Sequence, residues 1–86
     1  MKSRTELEEQ LIRIWSAKLE VSSLEINDNF FELGGNSMLA ADLLMDIYQD
    51  LGHEVDPWVL FLRPTIADLV DEILGTEGAA TTGERV

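Results

Sequence analysis

Apolar side chains recur at Leu7, Leu11, Ile14, Trp15 and Leu19, offsets of 0, 4, 7, 8 and 12, which is one stripe of a helix with about 3.6 residues per turn. Ser3 and Thr5 each have a Glu three positions on, Glu6 and Glu8, so either can cap the start of this first helix. From Glu20 to Asn36 the periodicity stops. Those 17 residues carry Ser22, Ser23, Asn27, Asp28 and Asn29, yet also Val21, Leu24, Ile26, Phe30, Phe31 and Leu33. So long and so apolar a connection is expected to lie across a helical bundle with its aromatics buried.

Helical spacing returns at Met38, Ala41, Leu44, Met45, Tyr48 and Leu51, which predicts a helix over 37–51 with Gly52 as a left-handed terminator. Asp56-Pro57 reads as an N-cap followed by proline at the first helical position, starting a short turn that Pro64 ends. Thr65, with Asp68 three residues on, starts a last helix whose apolar face is Ile66, Leu69, Val70, Ile73 and Leu74, with Gly75 as its stop. Residues 76–86 are small and polar, and are expected to form a disordered tail behind a domain spanning 1–75. The pattern specifies an all-α bundle of three long helices and one short one.

Composition narrows what such a bundle can do. Eighty-six residues make one small domain that buries only roughly 60–65% of its unfolded surface, too little for a roomy catalytic pocket. There is no cysteine, hence no disulfide framework, thiolate metal site or cysteine nucleophile. With 17 acidic against 6 basic residues the net charge is -11, which argues against binding nucleic acid or an anionic membrane surface and points to basic partners. No apolar run approaches the roughly 20 residues of a membrane span, and the start of the chain lacks the apolar core of a signal peptide, so a cytoplasmic protein is expected.

The acidity is not spread evenly. Residues 19–62 contain no Lys or Arg, while Glu20, Glu25, Asp28, Glu32, Asp42, Asp46, Asp50, Glu54 and Asp56 lie within them. Asp42, Asp46 and Asp50 share one helix face, where like charges at that spacing cost a few tenths of a kcal/mol per pair. Either the face is simply solvated or it steers basic partners.

The candidate chemistry sits at Gly34-Gly35-Asn36-Ser37. Two glycines permit unusual backbone conformations and close approach, and Ser37 stands at the positive end of the second helix, a setting that suits a phosphate ester. The plainer reading is a turn in which Ser37 is only an N-cap. Three catalytic patterns fail on spelling. Leu39 stands where a nucleophile elbow needs glycine, no lysine follows the glycines as in a phosphate-binding P-loop, and a calcium loop from Glu25 would meet Phe30 and Asn36 where it needs Gly and Glu. His53 reads as a surface loop residue and Met45 as core filler, whereas Met38 is expected on the surface. Trp58, Leu60 and Phe61 exceed what one turn can bury, so part of that set is expected to face a partner.

Taken together, Ile14-Trp15, the run Asp28-Asn29-Phe30-Phe31-Glu32-Leu33-Gly34-Gly35-Asn36-Ser37-Met38-Leu39-Ala40-Ala41, Phe61 and Pro64-Thr65-Ile66-Ala67-Asp68-Leu69 resemble the peptidyl carrier (thiolation) domains of non-ribosomal peptide synthetases. The resemblance implies a four-helix acyl-carrier-like bundle with no catalysis of its own. It further implies Ser37 as the attachment point of 4′-phosphopantetheine taken from coenzyme A, with Gly34, Gly35 and Asn36 as the supporting loop. The arm would hold aminoacyl or peptidyl groups as thioesters during non-ribosomal peptide or related natural-product biosynthesis. Implied partners are a phosphopantetheinyl transferase, an adenylation enzyme, and condensation, tailoring or thioesterase enzymes, met by a monomer through Met38, Leu39, Trp58, Phe61, Asp42 and Asp46. No metal is expected. The chain departs from the family in having Asn36 where Asp or His usually precedes the serine, and in Asp56-Pro57-Trp58-Val59 at the start of the third helix. Outside that family, the same residues fit an acidic helical interaction module or a small serine hydrolase.

Overall fold

The structure, a computed structural model, describes residues 3–79. Four helices follow in order: α1 Arg4–Leu19, α2 Ser37–Leu51, α3 Pro57–Leu62 and α4 Ile66–Ala79. Ser3, not Thr5, caps α1 through a reciprocal capping box: its hydroxyl accepts from the Glu6 amide, and the Glu6 carboxylate accepts from the Ser3 amide. The Asp56 carboxylate accepts from the Trp58 amide at 2.9 Å and Pro57 opens α3. Thr65 and Asp68 bond reciprocally at the start of α4.

The expected apolar stripes of α1 and α4 face the core, but that of α2 does not. Its inward face is Ala40, Leu43 and Ile47, and none of Met38, Ala41, Leu44, Met45, Tyr48 and Leu51 is fully buried, because two neighbouring faces of this helix carry apolar residues at helical spacing. Leu7, Leu11 and Trp15 of α1 meet Ala40, Leu43 and Ile47 of α2, Leu60 of α3, and Ile66, Leu69, Val70 and Ile73 of α4, all buried. Helix α1 packs on α2 and α4, and α3 closes the bundle against α2 and α4. At the rim, Arg4 is ion-paired with Asp71 and with Glu8, so that the Asp71 carboxylate first of all holds the guanidinium pKa above its ordinary value.

The left-handed stops differ from expectation at two places. Gly52 ends α2 with φ +74°, as its spacing predicts. Glu20, without a glycine's freedom, takes the same conformation after α1 at φ +59°. Gly75, expected to end α4, lies inside it instead, and the helix runs on to Ala79; residues 80–86 of the expected tail lie outside the described residues. A Cβ added at Gly75 would meet open space. Gly75→Ala is therefore expected to stabilise the domain by about 0.5–1 kcal/mol, seen as a raised urea midpoint. An unchanged or lowered midpoint would mean that the last turn is not part of the cooperative unit.

Candidate functional site

The long connection between α1 and α2 is an ordered saddle. Its Asn and Asp side chains bond its own backbone: Asn29 Oδ1 accepts from the amides of Phe31 and Glu32, and Asp28 Oδ2 from that of Glu25. Two backbone bonds fasten it to the α3–α4 corner, Phe30 N to Pro64 O at 2.8 Å and Ala67 N to Ile26 O at 2.9 Å. Leu24 and Phe30 are buried, the latter as its sequence setting predicts, whereas Phe31, also expected to be buried, is only half-buried and with Leu33 packs at the edge of the core. Phe30 sits edge-on to Trp15, with ring centroids 5.1 Å apart.

The saddle delivers Ser37 to the start of α2. Gly34 has φ +110°, a conformation that favours glycine. The Gly35 amide bonds the Phe30 carbonyl at 3.0 Å. The residue that caps α2 is Asn36, whose Oδ1 accepts from the Leu39 amide at 2.9 Å, while Ser37 occupies the first helical position. Ser37 is thus not the N-cap. It is exposed, and among the described residues no hydrogen bond holds its hydroxyl. An esterified phosphate fits here: the hydroxyl is open, it has no structural duty, and the positive end of a 15-residue helix lies beneath it.

Around this serine the expected contact residues divide. Met38, Trp58 and Phe61 are exposed, Met38 by 76% and Trp58 by 69%. Leu39 packs at the edge of the core and offers less to a partner. Met45, read from the sequence as filler, is exposed instead, and together with Tyr48 and Leu62 it extends an apolar surface that the sequence reading missed. The wheel of α2 carries two apolar faces at helical spacing, and the one that packs inward is Ala40, Leu43 and Ile47. Between α2 and α3 lies a shallow groove lined by Ala41, Leu44, Met45, Tyr48, Glu54, Val55 and Pro57. A second groove, between α1 and α2, is lined by Gln10, Arg13, Ile14, Ala17, Asp46 and Asp50. Neither contains Ser37, and neither brings a base within reach of it. His53 is half-buried in the α2–α3 connection.

The acidic face is also divided. Asp46 is paired with Lys18 of α1 at 3.0 Å, which removes it from the free set, whereas Asp42 and Asp50 remain exposed. Among the described residues no cluster of acidic or imidazole side chains is arranged to hold a metal. No described helix is long and apolar enough to cross a membrane.

An exposed, unbonded serine at the head of a capped helix is the geometry, and residues 9–73 match the family described as "Phosphopantetheine attachment site". The chain belongs to the phosphopantetheine-attachment family. It is a carrier domain of the peptidyl carrier type, and its prosthetic group is phosphopantetheine from coenzyme A. Chondramide synthase cmdD of Chondromyces crocatus is 43% identical over 79 residues, covering 88% of this chain and 2% of that protein. Tyrocidine synthase 2 of Brevibacillus parabrevis is 42% identical over 76 residues, again 88% of this chain and 2% of that one. Surfactin synthase subunit 1 of Bacillus subtilis (strain 168) is 42% identical over 69 residues, 80% of this chain and 2% of the other. The carrier domain thus spans about 2% of the length of these relatives. Among solved structures, a chain of the complex of the phosphopantetheine transferase Sfp with coenzyme A and a peptidyl carrier protein superposes with a TM-score of 0.78 at 31% identity, covering 87% of this chain and 94% of that one. The acyl-carrier-like four-helix bundle expected from the resemblance is the fold observed.

Proposed function

We propose that Ser37 is the attachment residue, that this carrier domain is a substrate and not a catalyst, and that it carries aminoacyl or peptidyl groups between enzymes of non-ribosomal peptide biosynthesis in the cytoplasm. The observation that carries the assignment is the free, exposed Ser37 hydroxyl beside an Asn36 cap. In loading, Ser37 Oγ forms a bond to the pantetheine-bearing phosphorus of coenzyme A as the pyrophosphate bond breaks. Adenosine 3′,5′-bisphosphate leaves, and the serine proton passes to a base on the transferase. Once attached, the group supplies a terminal thiol for thioester formation, which a chain without cysteine lacks. Asn36 holds the helix start, leaving Ser37 free to react, while Gly34 supplies the positive-φ turn before it and Gly35 lets the backbone rest against the Phe30 ring.

Incubation with coenzyme A and a broad-specificity phosphopantetheinyl transferase is expected to add the mass of one phosphopantetheinyl group. A folded protein of unchanged mass would overturn the carrier assignment, and ester hydrolysis by the purified unmodified protein would favour a serine hydrolase.

Partners of this proposal, the transferase, adenylation, condensation, tailoring and thioesterase enzymes, dock on Met38, Met45, Trp58, Phe61 and Leu62, with the free carboxylates steering them. Because Asp46 is tied to Lys18, Asp42 is the residue to reverse. Association with the transferase should slow as salt rises, and Asp42→Lys should slow it at low salt. A salt-independent rate would leave the acidic face as solvation alone.

A further inference from the structure

No hydrogen bond holds the Ser37 hydroxyl among the described residues, so its place is set by α2 and by the segment that feeds into it. That segment rests on a ring. A Cβ added at Gly35 would lie 2.3 Å from Cε2 and 2.4 Å from Cδ2 of Phe30, and 2.8 Å from the Phe30 carbonyl oxygen. The backbone of Gly35 therefore lies directly against the Phe30 ring, two residues before Ser37. Nor can that ring retreat: Phe30 is fully buried, is met edge-on by Trp15, and its amide is bonded to Pro64.

The same ring continues outward. Phe30 meets Phe31 edge-on with centroids 5.3 Å apart, and Phe31 stacks on Phe61 of α3 at 5.6 Å with only 10° between the planes. A row of four aromatic rings thus runs from Trp15 in α1 to the exposed edge of Phe61. The row joins two features separated in sequence by more than twenty residues, the serine and the apolar surface of α3.

We propose that Phe30 and Phe31 are positioning residues, which through the Gly35 contact and the Phe61 stack set where Ser37 stands relative to the α3 part of the docking surface. The inference rests on Ser37 being the modified residue, and it adds that the rate of modification depends on rings outside the Gly34–Ser37 loop. A partner that docks on α3 meets the hydroxyl at a set place only while this row is intact. Displacing a reacting group by about 1 Å can cost up to about a hundredfold in rate.

The test compares steady-state phosphopantetheinylation of wild type, Gly35→Ala, Phe31→Leu and Phe31→Tyr, each checked for helicity and thermal midpoint. Gly35→Ala is expected to lower kcat about tenfold or more while KM moves less than about threefold. Phe31→Leu, which keeps apolar bulk but loses the flat ring, should lower kcat in the same direction, and Phe31→Tyr should restore it. Should Gly35→Ala fail to fold, the Phe31 pair alone decides. Wild-type kcat in folded Phe31→Leu, or loss confined to KM, would overturn the proposal. Failure of the Ser37 assignment reads differently: wild type would gain no mass, or the adduct would persist in Ser37→Ala.

Discussion

Ser37→Ala is expected to abolish the phosphopantetheinyl mass gain completely while leaving the fold intact. The substitution removes the oxygen proposed to become the ester oxygen, and no other described hydroxyl stands at the head of α2. It removes no hydrogen bond that holds the helix, because the cap is Asn36 Oδ1 on the Leu39 amide and the next bond, Ala40 N to Asn36 O at 2.8 Å, uses backbone only. Alanine is also a better helix former than serine, so the thermal midpoint should match or slightly exceed that of wild type. Intact-mass spectrometry after exhaustive treatment with transferase and coenzyme A reads the first effect and circular dichroism the second. Any residual adduct on the folded variant would move the site elsewhere.

Phe30→Ala is expected to produce the largest loss of stability among these substitutions. Removing a fully buried phenyl ring costs about 3–5 kcal/mol through lost burial and the cavity left behind. A domain of this size has a total stability of about 4–13 kcal/mol at roughly 0.05–0.15 kcal/mol per residue. Phe30 lies in a connection, not a helix, yet it contacts Trp15, Phe31 and Gly35 and anchors Pro64. The variant should be partly unfolded without denaturant, with a sharply lowered urea midpoint. A midpoint close to that of wild type would show that the saddle folds independently of the bundle.

Most of the helical framework was legible because its signals are local. The stripe through Leu7, Leu11 and Trp15, the Asp56-Pro57 start and the Thr65–Asp68 pair each depend on residues within a few positions of one another, and each lies where its spacing predicts. Glycine punctuation was the less reliable guide. Gly75 stays helical although Gly52 stops its helix, and Glu20 makes a left-handed stop that no residue type announced. A helix tolerates an internal glycine at a cost of about 1 kcal/mol, which the packing of Ile66, Leu69, Val70 and Ile73 readily outweighs.

At the site, Ser37 stands out in the sequence as the candidate, but which residue caps α2 does not. Asn36 and Ser37 are adjacent residues that both make good caps, and the choice between them depends on where Gly35 rests against Phe30, a contact between a backbone and a ring that no periodicity encodes. The Lys18–Asp46 pair joins residues 28 positions apart, so three aspartates that look equivalent along α2 are not equivalent in space. Met45 was misplaced because the stripe Met38, Ala41, Leu44, Met45, Tyr48 and Leu51 has helical spacing as well, whereas the face that packs inward is Ala40, Leu43 and Ile47.

The cations that bracket the acidic stretch have a consequence for how copies of this domain treat one another. Lys18 is bonded to Asp46 and Arg63 to Glu72, so the two bases nearest the stretch are neutralised from within, and residues 19–62 supply none. The exposed apolar residues Met38, Met45, Trp58 and Leu62 therefore fall in a stretch of chain whose charged side chains are all carboxylates. Two copies that brought these residues together would also bring like charges together, while a basic enzyme would meet no such resistance. The same carboxylates that invite a foreign partner thus keep a sticky surface from finding itself, and self-association should emerge first at high ionic strength, where that repulsion is screened.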